Sequence, residues 1–394
     1  MREVPQLKNK FDREEWSGSF GDLGTLLPLA FALIVFNGFA PERLFLLWGM
    51  VYILSGFIFK VPLSVQPLKA MSVIAIAHGF SPEFISSTSV FYGLFFILIS
   101  TTGVLKSLEK WFSSALVSGI QLGIGLILAH KAIELAFQQG IALSEAPMNP
   151  WMSALFLLAT FSLFLVIQQR KQAFLAVGII IMGMIVLRTL GYEPISRDTG
   201  SNLLSFQLPQ ISFFIDALIL LMIPQLPLTL GNAVFAASDV SHRLWDPQAR
   251  RVNPTRLGLS IGISDTFIGL LGGFPVCHGS GGMAAHAQFG GRTGGSTMIM
   301  GSILVLLALI PSAASFVFFI PVPILASMLL LNSWRMISLQ KSQLYQPEMI
   351  TIAIVAITSL FTRNLTTALI LGLLSEQLIK YFLSKTQDKG TTHD

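Results

Sequence analysis

Charge is scarce in this chain. Only 11% of its 394 residues are Asp, Glu, Lys or Arg, against roughly 25% in a soluble domain. With 53% hydrophobic residues and a mean hydropathy of +0.70, a soluble globular chain is excluded and an integral membrane protein is expected. Cysteine is rarer still. Cys277 alone excludes an intramolecular disulfide and any metal site built from several cysteines. No HExxH occurs, and the few His, Asp and Glu residues are scattered. That removes the common zinc-peptidase chemistry, and with no gathered acid–base set no enzymatic activity and no cofactor is expected. Low-complexity tracts and Gly/Ser linkers are missing too. The opening MREVPQLKNKFDREEW lacks an apolar core and a small-residue cleavage site, so no cleavable signal is expected. The closing SKTQDKGTTHD is too short for a soluble domain.

What remains is a series of apolar runs parted by short polar turns. They predict spans at 19–38, 42–60, 67–79, 84–104, 111–130, 150–168, 172–190, 213–236, 257–272, 281–289, 296–312, 314–334, 347–361 and 364–383. The fold class is therefore all-α polytopic, with about fourteen spans. With the N-terminus inside, most of the 25 Lys and Arg residues fall on cytoplasmic segments, Arg335 among them. Only Arg43, Lys131, Arg188, Arg197 and Arg363 fall outside, and Lys69 lies within the membrane. The net charge of +5 thus reads as positive-inside topology, with no nucleic-acid partner. Both termini are expected in the cytoplasm of a cell-membrane protein. Seven spans lie on each side of the hydrophilic loop 191–210. Seven is odd, so the second set enters from the opposite face, which makes an inverted repeat.

Two stretches break the helical pattern. Val61 to Met71 reads VPLSVQPLKAM. Pro62 and Pro67 forbid a continuous helix, and Ser64, Gln66 and Lys69 are polar at membrane depth. After Pro67 a short helix can start, with Lys69 in its first turn. A lysine at an already positive helix N-terminus is unfavourable alone, and a bound anion reverses the sign. The second stretch, GGFPVCHGSGG from Gly272 to Gly282, again leads into a short helix. Two such breaks at matching places in two halves point to a transport site. The first span of each half also carries polar residues: Asp22 and Thr25 in SGSFGDLGTLLPL, and Gln225, Thr229 and Asn232 in LMIPQLPLTLGNAVF.

FGDLGTLLPL, SVQPLKA, IPQLPLTLGN and PVCHGSGGMAAHAQFGGRTG together resemble the molybdate-transporter family, a distant branch of the SulP sulfate-transporter group. The resemblance runs from about Ser17 to Tyr381. It implies a fold shared with uracil and bicarbonate transporters, with a first inverted repeat over 17–190, a connecting loop over 191–212 and a second repeat over 213–383. Residues 1–16 and 384–394 are then cytoplasmic ends. It further implies a core domain from 17–104 and 213–312 and a gate domain from 111–190 and 314–383, with substrate between the two half-helix N-termini. Carried over by position, Gln66 and Lys69 match the first half-helix motif. His278, Gly279, Ser280, Gly281 and Gly282 match the second. Thr25, Gln225 and Asn232 complete the substrate set, and Asp22 is the candidate for proton coupling. Many relatives carry Pro and Met where this chain has Ser64 and Leu68. The C-terminal STAS domain of the classical SulP proteins is not found here, which fits the molybdate branch.

Plainer roles stand beside these. Lys69 can snorkel or pair with Asp22, and Asp22 can cap a helix. His278 can be a satisfied core histidine, Gly281 and Gly282 can serve helix packing, and structure is the default for His286. Arg243, Arg250, Arg251 and Arg256 form a positive loop open to anionic lipid. The expectation is a secondary transporter of a tetrahedral oxyanion, molybdate first, working by alternating access. Sulfate transport is the nearest alternative and a channel-like anion conductor the next. The expected contacts are the oxyanion and membrane lipid, with a homodimer as the candidate assembly.

Overall fold

Two short extended segments lie deep in the molecule, and the surrounding helices meet their hydrogen-bonding needs. The structure, a computed structural model, describes residues 8–109, 111–143, 145–170, 173–192, 203–310, 314, 316–338 and 346–390. Much of the connecting loop, Arg197 included, lies outside the described residues.

The chain begins with α1 (Arg13–Ser19) and α2 (Leu23–Asn37), bent by 41° where one span was expected over 19–38. The glycines of SGSFGDLG make the bend. A methyl on Gly18 would lie 2.4 Å from the Gly291 nitrogen, and one on Gly21 would lie 2.7 Å from Ala285 backbone. Next come α3 (Pro41–Phe59), β1 (Gln66–Pro67), α4 (Lys69–His78), α5 (Pro82–Thr101), α6 (Leu105–Glu109), α7 (Ser114–Gln138), α8 (Pro150–Gln169) and α9 (Ala173–Thr189). Past the connecting loop are α10 (Ile211–Trp245), α11 (Pro254–Leu270), β2 (Val276–Cys277), α12 (Ser280–Gln288), α13 (Gly295–Leu309), α14 (Val322–Ser338), α15 (Gln346–Thr362) and α16 (Leu365–Gly390). Proline opens α3, α5, α8 and α11, where its missing N–H costs nothing.

Every apolar run expected to span carries a helix, with shifted ends. Among the described residues five helices are long and apolar enough to cross a membrane unaided, and six when the bent α1–α2 pair counts as one span. The chain is thus a multi-pass helical membrane protein. α10 departs most from expectation, at 35 residues against 213–236. Pro224 and Pro227 do not break it. π-helical stretches at Leu218–Met222 and Thr229–Phe235 absorb the proline-disrupted bonding.

β1 and β2 pair antiparallel, Gln66 opposite Cys277 and Pro67 opposite Val276. Bare backbone at membrane depth must be satisfied by protein, and here it is. Leu68 N–H donates to the Pro275 carbonyl at 3.1 Å, and Ser64 Oγ to that of Gly279 at 2.7 Å. Val276 N–H donates to Asp265 Oδ1 on α11 at 2.7 Å, and Trp48 Nε1 on α3 to the Phe274 carbonyl at 2.9 Å. Around this bridge α3 packs along α13 and α5 along α11. Glycine pairs bring these backbones together: a methyl on Gly49 would meet the Gly301 carbonyl at 2.7 Å, and one on Gly262 would meet that of Gly93 at 2.9 Å. α7 packs on α14 and α15, and α8 on α14. Glu15 of α1, buried, accepts from the N–H groups of Arg292, Thr293 and Ser296 and from the Ser296 hydroxyl. It caps α13 across the fold, so the polar N-terminal region helps secure a core helix.

Candidate substrate site

Pro67 and Leu68 end the extended lead-in, and Lys69 is the first residue of α4. The helix needs acceptors for its first N–H groups. Gln225 supplies one from α10: its Oε1 accepts from Ala70 at 2.8 Å and Met71 at 3.2 Å. Gln225 Nε2 donates to Thr229 Oγ1 at 3.0 Å, and the Tyr92 hydroxyl donates to the same oxygen at 2.7 Å. The second half-helix, α12, starts at Ser280 with Gly279 as an N-cap that makes no side-chain bond. Ser280 Oγ donates to Asn232 Oδ1 at 2.5 Å.

A cavity of about 450 Å³ lies against these elements, within the roughly 300–1,000 Å³ of small-molecule sites. One wall comes from the α2 start, α4 and α12, the other from α8, α9 and α14. It extends toward the C-terminal ends of α8, α12 and α14, at Gln168, Gln288 and Ser338. Of the residues picked out from sequence, Asp22, Thr25, Gln66, Lys69, Gly281 and Gly282 line it together. Gln225, Asn232, His278, Gly279 and Ser280 do not.

The two glycines differ. A methyl at Gly281 would have nothing within 4 Å, because that face looks into the cavity. One at Gly282 would lie 2.4 Å from Gln66 Nε2, 2.7 Å from Ser64 Cβ and 2.8 Å from Asp22 Cγ. Asp22, 3% exposed, accepts from Gln66 Nε2 through one oxygen and from the Tyr52 hydroxyl, 3.2 Å away, through the other. It therefore does not form the ion pair with Lys69 considered from sequence. Among the described residues Lys69 has no hydrogen-bond or ion-pair partner, though its charge acts on Asp22.

His278 is fully engaged. Nδ1 lies 2.9 Å from the Ser64 carbonyl and Nε2 lies 2.8 Å from Ser260 Oγ. A carbonyl only accepts, so Nδ1 carries the proton and Nε2 accepts from the serine. This is a tie between the two lead-ins and leaves no ring nitrogen for a ligand. Sequence reasoning missed the far wall. Arg335, counted there among the cytoplasmic topological charges, lines the cavity from α14 together with Asn332. The nearest signal was an Asn and an Arg three apart at the end of an apolar run.

Gln225→Leu leaves the Ala70 and Met71 N–H groups without their acceptor. It should lower stability by about 1–3 kcal/mol, read as a lower unfolding temperature in detergent, while molybdate affinity of the folded fraction stays near wild type. A large affinity loss at unchanged stability would return Gln225 to the substrate set.

Crossing helices, two half-helices joined by a strand bridge, and a cavity lined by cations that have no partner among the described residues define a membrane transport protein. The fold is similar to the transmembrane domain of a cyanobacterium bicarbonate transporter, BicA, with a TM-score of 0.65 at 20% identity, covering 94% of this chain and 99% of that one. It is also similar to the murine solute carrier 26 family member A9 anion transporter in its inward-facing state, with a TM-score of 0.72 at 11% identity, covering 96% and 70%. The chain belongs to the molybdate transporter family: the model described as "Molybdate transporter of MFS superfamily" matches residues 14–128 and 217–336. Similar relatives are molybdate transporter 2 of Arabidopsis thaliana, 25% identical over 343 residues (76% of this chain, 72% of that protein), and molybdate transporter 1 of Chlamydomonas reinhardtii, 22% identical over 487 residues (91% and 90%). The chain is a transporter and not an enzyme.

Proposed function

We propose that this protein carries molybdate across the cell membrane by alternating access, with both termini in the cytoplasm. The observation that carries the reading is Lys69: a cation in the first turn of a half-helix, lining the cavity, with no partner among the described residues. Gly281, in the first turn of the other half-helix, opens on the same space. A tetrahedral dianion between them would meet a charge, a helix N-terminus and neutral donors such as Gln66 and Thr25. With the expected topology the cavity opens to the cytoplasm.

An inverted seven-plus-seven repeat is supported by reciprocal packing. The second span of each half lies on the fourth of the other, as α3 on α13 and α11 on α5, and the third spans meet through β1 and β2. Gln225 and Asp22, from the first spans of the two halves, each stand at the half-helix of the opposite half. The cavity lies between these elements and α8, α9 and α14, in the place expected for a boundary between core and gate domains. Outward side chains such as Trp151, 85% exposed, suit contact with lipid.

Charge balance supports a proton at Asp22. Lys69, Arg335 and a dianion sum to zero, and an ionised Asp22 leaves one negative charge in excess in a partly dry site. The groups acting on Asp22 are Lys69, Arg335, Tyr52, Gln66 and, behind the strands, Cys277. Gln66 Oε1 is buried without a partner, so inverting that amide gives protonated Asp22 an acceptor. Protonation removes the charge that repels the dianion, so molybdate should bind more tightly as pH falls from 8 to 6. In Asp22→Asn binding should persist, lose its pH dependence, and no longer support accumulation driven by a proton gradient. Normal driven accumulation in that variant would leave Asp22 a structural role.

The function itself is tested by uptake of labelled molybdate into vesicles holding the purified protein, with tungstate and sulfate as competitors. Saturable uptake that tungstate blocks is expected. Uptake of sulfate that molybdate does not inhibit would overturn the assignment of substrate.

A further inference from the structure

The wall of the cavity facing Lys69 holds a second cation, counted above only for its charge. Arg335 lines the cavity from α14 and has no hydrogen-bond or ion-pair partner among the described residues. Its charge acts on Asp22, as that of Lys69 does. The guanidinium lies against the first turn of α2, because Gly24 makes room: a methyl there would meet Nη1 at 2.5 Å and Nη2 at 3.0 Å. Three residues earlier, on the same face of α14, Asn332 also lines the cavity. It is 2% exposed, and its Nδ2 is a buried donor with no partner. A buried unsatisfied donor is costly unless something completes it. Arg335 and Asn332 both line a cavity that already holds a lysine without a partner among the described residues, and that grouping calls for an anionic ligand.

We infer that Arg335, supported by Asn332, forms the second half of the substrate site and sets its preference for doubly over singly charged tetrahedral oxyanions. The inference rests on the oxyanion reading given above. One cation holds a monoanion as well as two do once the site is neutral, whereas a dianion needs both. With Asp22 protonated, Lys69 and Arg335 together match the two charges of the dianion. Because Lys69 stands on α4 and Arg335 on α14, a bridging dianion also ties together the two walls that alternating access must move.

Molybdate and perrhenate separate these effects, being tetrahedral oxyanions of similar size with charges of −2 and −1. Equilibrium binding of both to purified protein at fixed ionic strength is the measurement. Arg335→Gln should weaken molybdate by about 100-fold and perrhenate by less than about tenfold, since a lost charge contact weighs with the ligand's charge. Arg335→Lys should recover most of the molybdate affinity. Gly24→Ala keeps every charge and meets only the movable end of the Arg335 side chain, so it should fold normally and weaken molybdate by about tenfold. Molybdate affinity unchanged in Arg335→Gln, or both ions weakened by the same factor, overturns the inference while a molybdate-binding wild type keeps the transporter reading. Wild-type protein that binds neither ion overturns that reading and this inference with it.

Discussion

Replacing Gly281 by valine should abolish molybdate binding in a protein that still folds. The site allows that separation because the space beyond this glycine belongs to the cavity: a methyl there has no protein atom within 4 Å. The β carbon of a new side chain therefore meets no protein atom, and the branched bulk of valine stands over the first turn of α12 where the anion must meet backbone N–H groups. Overfilling a close contact costs about 1–3 kcal/mol, and screening those donors adds to it. A fall in affinity of at least about 100-fold is expected. Gly282→Val is no substitute, because it drives into Gln66, Ser64 and Asp22 and should harm folding itself. Gly178→Val is the control. Gly178 is exposed on α9 and also has open space around it, so binding there should stay at wild-type level. Affinity is measured on variants with wild-type size-exclusion profiles. A well-folded Gly281→Val protein that binds molybdate normally would remove the anion from this helix end.

Lys69→Ala should cost about 2–5 kcal/mol of molybdate binding, the range for losing one partner of a close charge pair in a dry site. Its effect on stability should be small or favourable. The ammonium makes no hydrogen bond among the described residues and stands at a helix N-terminus, where a positive charge is disfavoured. The opposite pattern, a destabilised protein with wild-type affinity, would make Lys69 a structural residue. Thermal unfolding and binding measured on the same preparation decide between them.

The two half-helices were legible because proline and glycine act locally. Pro62 and Pro67 interrupt any continuous helix through their stretch, and GGFPVCHG ahead of Ser280 is interrupted in the same way by glycine and proline. The apolar runs gave the helices for the same reason. The bend at Phe20–Asp22 was hidden, since SGSFGDLG leads straight into an apolar run and sequence does not show that Gly18 and Gly21 rest against the chain around α12. α10 misled in the other direction, because π-helical turns absorbed its prolines. Within the site, sequence could mark a residue as polar at membrane depth but could not name its partner. Gln225 and Thr25 looked equivalent, yet Gln225 is spent on α4 while Thr25 reaches the cavity. His278 could be read as a ligand or as a satisfied core histidine, and its nitrogens find partners in Ser64 of the other lead-in and Ser260 of α11. Arg335 ends an apolar run, which is where topological cations also sit. Only the packing of α14 against Gly24 separates the two cases.

The strand bridge governs how the chain can be made. Ser64 bonds a residue 215 positions later, and the N–H of Ala70 a residue 155 positions later. At roughly 5–20 residues per second, a ribosome needs about 10–40 s to supply them. During that interval the first half stands in the bilayer with bare strand edges and an uncapped α4. Such groups are costly in hydrocarbon, so the insertion machinery has to hold or hydrate this segment until its partner emerges.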